Sequence, residues 1–145
     1  MMFNQFFKKT CNKVSFEDVQ FAMKSPTNFI LINTLPIGEQ DCLIKNTVSY
    51  QVEENIMNDL LTKYDFNSKR IIIYGKNSSD ETAEKKYDQL ASLGFMHVYL
   101  YAGGMFEWLL LQDIYGDGEF PSTRKTLDIL KFRPVRVFGG LYIGQ

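Results

Sequence analysis

The chain has 145 residues, 45% of them hydrophobic and 14% aromatic, with 16 basic against 17 acidic side chains. That length suits one domain with a single core and leaves no room for two, and a formal net charge of −1 gives no general pull towards nucleic acid or anionic membrane. No apolar run nears the roughly 18 residues that span a bilayer, and two cysteines, Cys11 and Cys42, are too few for a disulfide scaffold or a cysteine-built metal site. The expectation is one folded domain of a reducing, cytoplasmic setting, with no cofactor, metal, nucleic acid or membrane partner.

Residues 1–12 read as an N-terminal segment, 13–120 as the domain and 121–145 as a C-terminal extension. Phe3, Phe6 and Phe7 in MMFNQFFKK fit one helix face. The stretch lacks the 7–15-residue apolar core of a signal peptide, so it reads as local packing. Residues 13–15 suit a short strand. Ser15 with Asp18 then resembles a helix-opening cap, and Phe16, Val19, Ala22 and Met23 follow at helical spacing. Pro26 closes that helix, because proline excludes the helical conformation from the residue before it.

Residues 29–32 (FILI) form a continuous apolar run of the kind found in strands buried on both faces. A loop with Pro36 and Gly38 precedes a short extended piece at 47–49. Over residues 51–64, Val52, Ile56, Leu60 and Leu61 predict a helical stripe, with Glu53 and Glu54 near its start. Residues 71–74 (IIIY) are a second buried-type strand. A helix follows in which Ala83, Tyr87, Leu90 and Ala91 share a face and Gly94 suits a left-handed end. Residues 98–100 are a third strand, and Gly103-Gly104 lead into an apolar helix over 105–111 that contains Trp108. Alternating strands and helices predict an α/β domain with a central parallel sheet covered by helices on both faces.

Sites in such a sheet form beyond the carboxyl ends of the strands. Residues 75–80 (GKNSSD) occupy that place, between a buried strand and a helix start, where free amides could hold an anion or stabilise a thiolate. Their side chains do not suit that use. Gly75, Lys76, Asn77, Ser78, Ser79 and Asp80 include no cysteine nucleophile and no arginine, and Lys76 is the only cation in reach. Asp80 and Glu81 already bring negative charge to the helix start. The plain reading is a strand–helix loop capped by Ser78 and Glu81 (S-x-x-E).

The chain resembles the rhodanese-like domains. Gly94-Phe95, Val98, Gly103-Gly104 and Trp108 are similar to a family pattern of Gly-Phe, a Val three residues on, a Gly pair and a Trp four residues later. Ile71 to Tyr74 resembles the strand that delivers the active-site loop. Ile30-Leu31-Ile32-Asn33 resembles the family's Leu-Ile-Asp-Val-Arg strand, and Cys42 to Val48 (CLIKNTV) its returning His-Ile-Pro-Gly-Ala segment. The similarity covers residues 14–115 and implies a three-layer rhodanese-like fold.

It also implies a missing nucleophile. The family's sulfurtransferases carry a persulfide on a cysteine at the position matching Gly75, and its Asp and Arg fall on Asn33 and Leu35. The stretch from the loop to Gly94 is about two residues longer than the commonest form. Glycine forms neither a persulfide nor a thiophosphate, so the resemblance implies a pseudoenzyme, similar to an inactive subgroup met in protists and large DNA viruses. Cys42, just before the edge strand at 47, and Cys11, before the first strand, are misplaced to substitute. They read as small apolar residues.

His97 lacks the partners that a metal site or general base needs, Trp108 reads as core, and Gly103-Gly104 as a tight turn with close backbone approach. Asp113, Asp117 and Glu119 lack the spacing of a calcium loop. Arg124, Lys125, Lys131, Arg133 and Arg136 read as solvated basic surface. Val135, Val137, Leu141 and Ile143 alternate in the tail, which suits packing on a sheet edge or on another chain. Two functions follow: a non-catalytic protein-binding or scaffold module, with a homo-oligomer through the tail as one form; or a sulfurtransferase- or phosphatase-type enzyme that uses the retained loop for anions.

Overall fold

The computed structural model describes residues 11–138, so Phe3, Phe6 and Phe7 and the tail beyond Phe138 lie outside the described residues. The elements in chain order are α1 (Phe16–Met23), β1 (Phe29–Asn33), α2 (Tyr50–Thr62), β2 (Arg70–Tyr74), α3 (Glu81–Leu93), β3 (Val98–Tyr101) and α4 (Gly104–Tyr115). Short 3-10 turns lie at Ile37–Glu39 and Ile129–Phe132. β1 pairs with β2 and β2 with β3, all parallel, with Leu31 opposite Ile72 and Ile72 opposite Tyr99. Thr47 joins β1 through a single parallel bridge to Leu31, and Lys13 joins β3 through one to Leu100. The expected strands at 13–15 and 47–49 are therefore single bridges, one on each edge.

Alternation along the strands divides the core in two. Ile30, Ile32, Ile71, Ile73, Val98 and Leu100 face α2 and α3, where Met57, Leu60, Ala83, Tyr87 and Leu90 cover them. Leu31, Ile72, Tyr74 and Tyr101 face the other way, onto Val19 and Ala22 of α1 and Met105, Trp108 and Leu109 of α4. Both faces of the sheet are covered, which is why the strands read as unbroken apolar runs. The second layer also takes Phe120 and Phe132. The extension after residue 120 thus packs back onto the domain: Ser122 bridges Ile44, Thr123 N–H donates to the Leu43 carbonyl at 2.7 Å, and Phe132 is buried.

Local signals set most element ends. Ser15 and Asp18 form a reciprocal capping box at α1. Gly94 closes α3 at φ 111°, a conformation that costs a residue with a Cβ about 1–2 kcal/mol. Two expectations are corrected. The buried face of α2 carries Glu53, Met57 and Leu60, while Val52 is exposed and Ile56 and Leu61 are half-buried. The stripe is rotated because Glu53 turns inward to Lys86 of α3, with Oε2 2.6 Å from Nζ. The cap of α3 is also not Ser78 with Glu81. Asp80 is the N-cap and accepts the Thr82 N–H at 3.0 Å.

Candidate active-site loop

All three strands end on the same side of the sheet, and there residues 75–80 connect β2 to α3. Gly75 follows the last β2 residue, Tyr74, and both are buried. The Asp80 carboxylate turns back into the loop. Its Oδ2 accepts the Lys76 N–H at 2.8 Å, and its Oδ1 accepts the Thr82 N–H at 3.0 Å and the Thr82 hydroxyl at 2.6 Å. Burial alone would raise the Asp80 pKa. The bonds from the Thr82 hydroxyl, the Lys76 and Thr82 amides and the Lys76 charge outweigh it and hold the carboxyl below its usual range. A Cβ on Gly75 would lie 2.6 Å from Asp80 Oδ2 and 3.1 Å from Thr34 Oγ1. The space beside position 75 is filled by an internal anion.

Asn77 is buried and spends its side chain inward. Oδ1 accepts the Ser79 N–H at 2.9 Å, while Nδ2 donates to the carbonyls of Phe132 at 3.0 Å and Arg133 at 3.1 Å. The C-terminal extension is thereby tied to the loop. Lys76 pairs with Glu39 of the first 3-10 turn at 3.0 Å, so the loop's cation is directed to a neighbouring carboxylate. Ser78 and Ser79 are exposed.

The loop's carbonyls are engaged from the other side. At the start of α4, Met105 N–H donates to the Gly75 carbonyl at 3.0 Å and Phe106 N–H to the Lys76 carbonyl at 2.9 Å. Gly104 makes this possible. Its φ is 64°, and a Cβ there would sit 2.6 Å from the Gly75 oxygen. The close backbone approach expected at Gly103-Gly104 is therefore onto residues 75–77.

The two positions matched to the family's Asp and Arg are inward. Asn33 is buried, its Oδ1 accepting the Leu35 N–H at 3.0 Å, and Leu35 is core. Cys42 is buried with its thiol donating to the Arg124 carbonyl at 3.0 Å, and burial pushes its pKa up. Burial, then Asp88 and Glu84, does the same for Cys11. Neither has the electropositive, accessible setting of a reactive thiol. His97 Nε2 lies 2.7 Å from Asn67 Oδ1 in a local surface contact. Trp108 is fully buried between Tyr101 and Phe120, its indole N–H on the Pro121 carbonyl. Arg124, Lys125, Lys131, Arg133 and Arg136 are exposed. Among the described residues no group of His, Cys, Asp or Glu could hold a metal ion, and no helix is long and apolar enough to cross a membrane.

The sequence locates this loop but not what closes it. Thr34, Glu39 and Phe132 carry no local signal of their part in it, since each acts through a partner far along the chain. Thr34 is simply the residue after β1.

Comparison with known proteins agrees with this architecture. A protein of Bacillus halodurans has a similar solved structure, with 23% identity over 75% of this chain and 79% of that one and a TM-score of 0.55. A full-length protein from Lactobacillus plantarum gives 18%, 78%, 88% and 0.56 for the same quantities. An As-Sb reductase from Leishmania major gives 17%, 74%, 81% and 0.50. At these identities the likeness shows the fold alone. No curated relative matches the chain. The model of the rhodanese-like domain matches residues 16–111, spanning α1 to most of α4 and the whole loop, and the chain belongs to the rhodanese-like domain family.

Proposed function

We propose that this protein is a non-catalytic member of its family that works as a protein-binding or scaffold module. The observation that carries the reading is the Asp80 carboxylate bonded to the Lys76 amide, in a loop whose position 75 has no side chain. Fold alone does not confer chemistry when the reacting group is missing. An external anion would have to displace a carboxylate held by three hydrogen bonds. The C-terminal extension, tied to the loop by Asn77, carries Val135 and Val137 outward at 85% and 82% exposure. That alternation favours contact with another chain, a second copy included.

The test is a thiosulfate–cyanide sulfurtransferase assay of the wild-type protein beside Gly75→Ala. Equal background rates are expected. Turnover above that control would move the protein to the enzyme reading, with Lys76, Asn77, Ser78 and Ser79 as its polar groups. For the tail, solution mass is compared with and without residues 135–145, and an unchanged mass removes the homo-oligomer form.

A further inference from the structure

We infer that Gly75 and Asp80 are a matched pair: Asp80 is a second, separate determinant of the closed loop, and a cysteine restored at position 75 alone would be neither accommodated nor reactive. The inference builds on the reading of residues 75–80 as a loop closed from within. Three observations meet at one point. The first is steric: any Cβ at 75 would meet Asp80 Oδ2 at 2.6 Å and its carboxyl carbon at 3.1 Å. Asp80 cannot swing away cheaply, because its other oxygen is held by the Thr82 amide and hydroxyl at the start of α3.

The second is electrostatic. A thiolate beside a carboxylate is a like-charge pair, which raises the thiol pKa and lowers the reactive fraction at neutral pH. The third concerns donors. The Lys76 N–H already points to Asp80, and the Lys76 ammonium is paired with Glu39. A sulfur at 75 would find that neighbouring donor and that charge both committed. Loss of a nucleophile by one substitution would be reversed by one substitution. Here two positions must change together.

The experiment uses the full chain in two series. Thermal stability is measured for wild type, Gly75→Ala, Asp80→Ser and the double variant. Serine is chosen because it still caps the helix while withdrawing the charge and the clashing oxygen. Gly75→Ala is expected to lower Tm by at least about 4 °C in the wild-type background, and by less than half as much in the Asp80→Ser background. An equal loss in both backgrounds, or a double variant that fails to fold, would overturn the pairing. A single variant that fails to fold while the double folds supports it.

In the second series, Gly75→Cys is alkylated with iodoacetamide at pH 7 with and without Asp80→Ser, with wild type supplying the background from Cys11 and Cys42. The double variant is expected to react about tenfold faster, the equivalent of one unit of thiol pKa. Equal rates count against the inference. Thiosulfate turnover by the wild-type chain would defeat the non-catalytic reading and leave the Gly75–Asp80 coupling standing, so the two failures are distinguishable.

Discussion

Two of the helices that start at the carboxyl edge of the sheet, α3 and α4, meet at the loop after β2, and their first amides are satisfied by different devices. At α3 a side chain does it: Asp80 caps Thr82 and reaches back to Lys76. At α4 the backbone does it: the carbonyls of Gly75 and Lys76 accept from Met105 and Phe106. The two junctions share one loop, held by its amide on one side and by its carbonyls on the other. The side-chain device tolerates substitution at the cost of one cap. The backbone device depends on Gly104, because both its φ of 64° and its closeness to the Gly75 oxygen exclude a Cβ.

The largest effect is therefore expected from Gly104→Ala. A left-handed alanine costs about 1–2 kcal/mol, and the clash with backbone adds roughly 1–3 kcal/mol. Denaturant unfolding should show a loss of several kcal/mol, and a loss below that expected of Asp80→Ala would mean the α4 junction is the softer one. Next comes Asn77→Ala, which unpairs the carbonyls of Phe132 and Arg133 and frees the extension from the loop. A cost of about 1–3 kcal/mol is expected, with faster hydrogen exchange in residues 129–138; unchanged exchange there would separate strap from loop.

Asp80→Ala removes the α3 cap and should cost about 0.5–2 kcal/mol. Lys76→Ala, which breaks a partly exposed pair with Glu39, should cost about 1 kcal/mol or less. A greater loss than that of Asp80→Ala would make the ion pair, rather than the carboxylate, the chief closure of the loop. The finest distinction is pH. Burial opposes ionisation of Asp80, but the Thr82 and Lys76 bonds and the Lys76 charge prevail and depress its folded-state pKa. A depressed carboxyl stabilises the fold above its unfolded pKa of about 3.9 and loses that contribution as pH falls through the folded value. The Tm gap between wild type and Asp80→Ser should therefore narrow below about pH 4. Lys76 and its partner Glu39 are the neighbouring ionisable groups, and a Lys76→Ala background separates their share.

Much of the fold was legible because its signals are local. Unbroken apolar runs at 29–32 and 71–74 mean burial on both faces, and the Ser15–Asp18 box and Gly94 mark helix ends within a few residues. The rotated face of α2 was not legible. Counting hydrophobics puts Val52 inside, whereas a carboxylate three-dimensionally opposite a lysine can be buried in its place, as Glu53 is against Lys86. The Ser78–Glu81 cap failed for a related reason. Two residues near a helix start can both cap, and Asp80 wins because its second oxygen also answers the Lys76 amide.

The sequence by itself determined the alternation of strands and helices, the loop that follows β2, and the absence of a nucleophile at Gly75. These depend on residue type and on spacings of a few positions. Only the tertiary structure decided what fills the space beside Gly75. Asp80 folding over Gly75, Asn77 holding carbonyls 55 and 56 residues away, and Gly104 pressing on the loop's backbone are contacts between segments that packing brings together. A buried polar group takes whichever partner its neighbours in space supply, and periodicity along the chain carries no record of those neighbours.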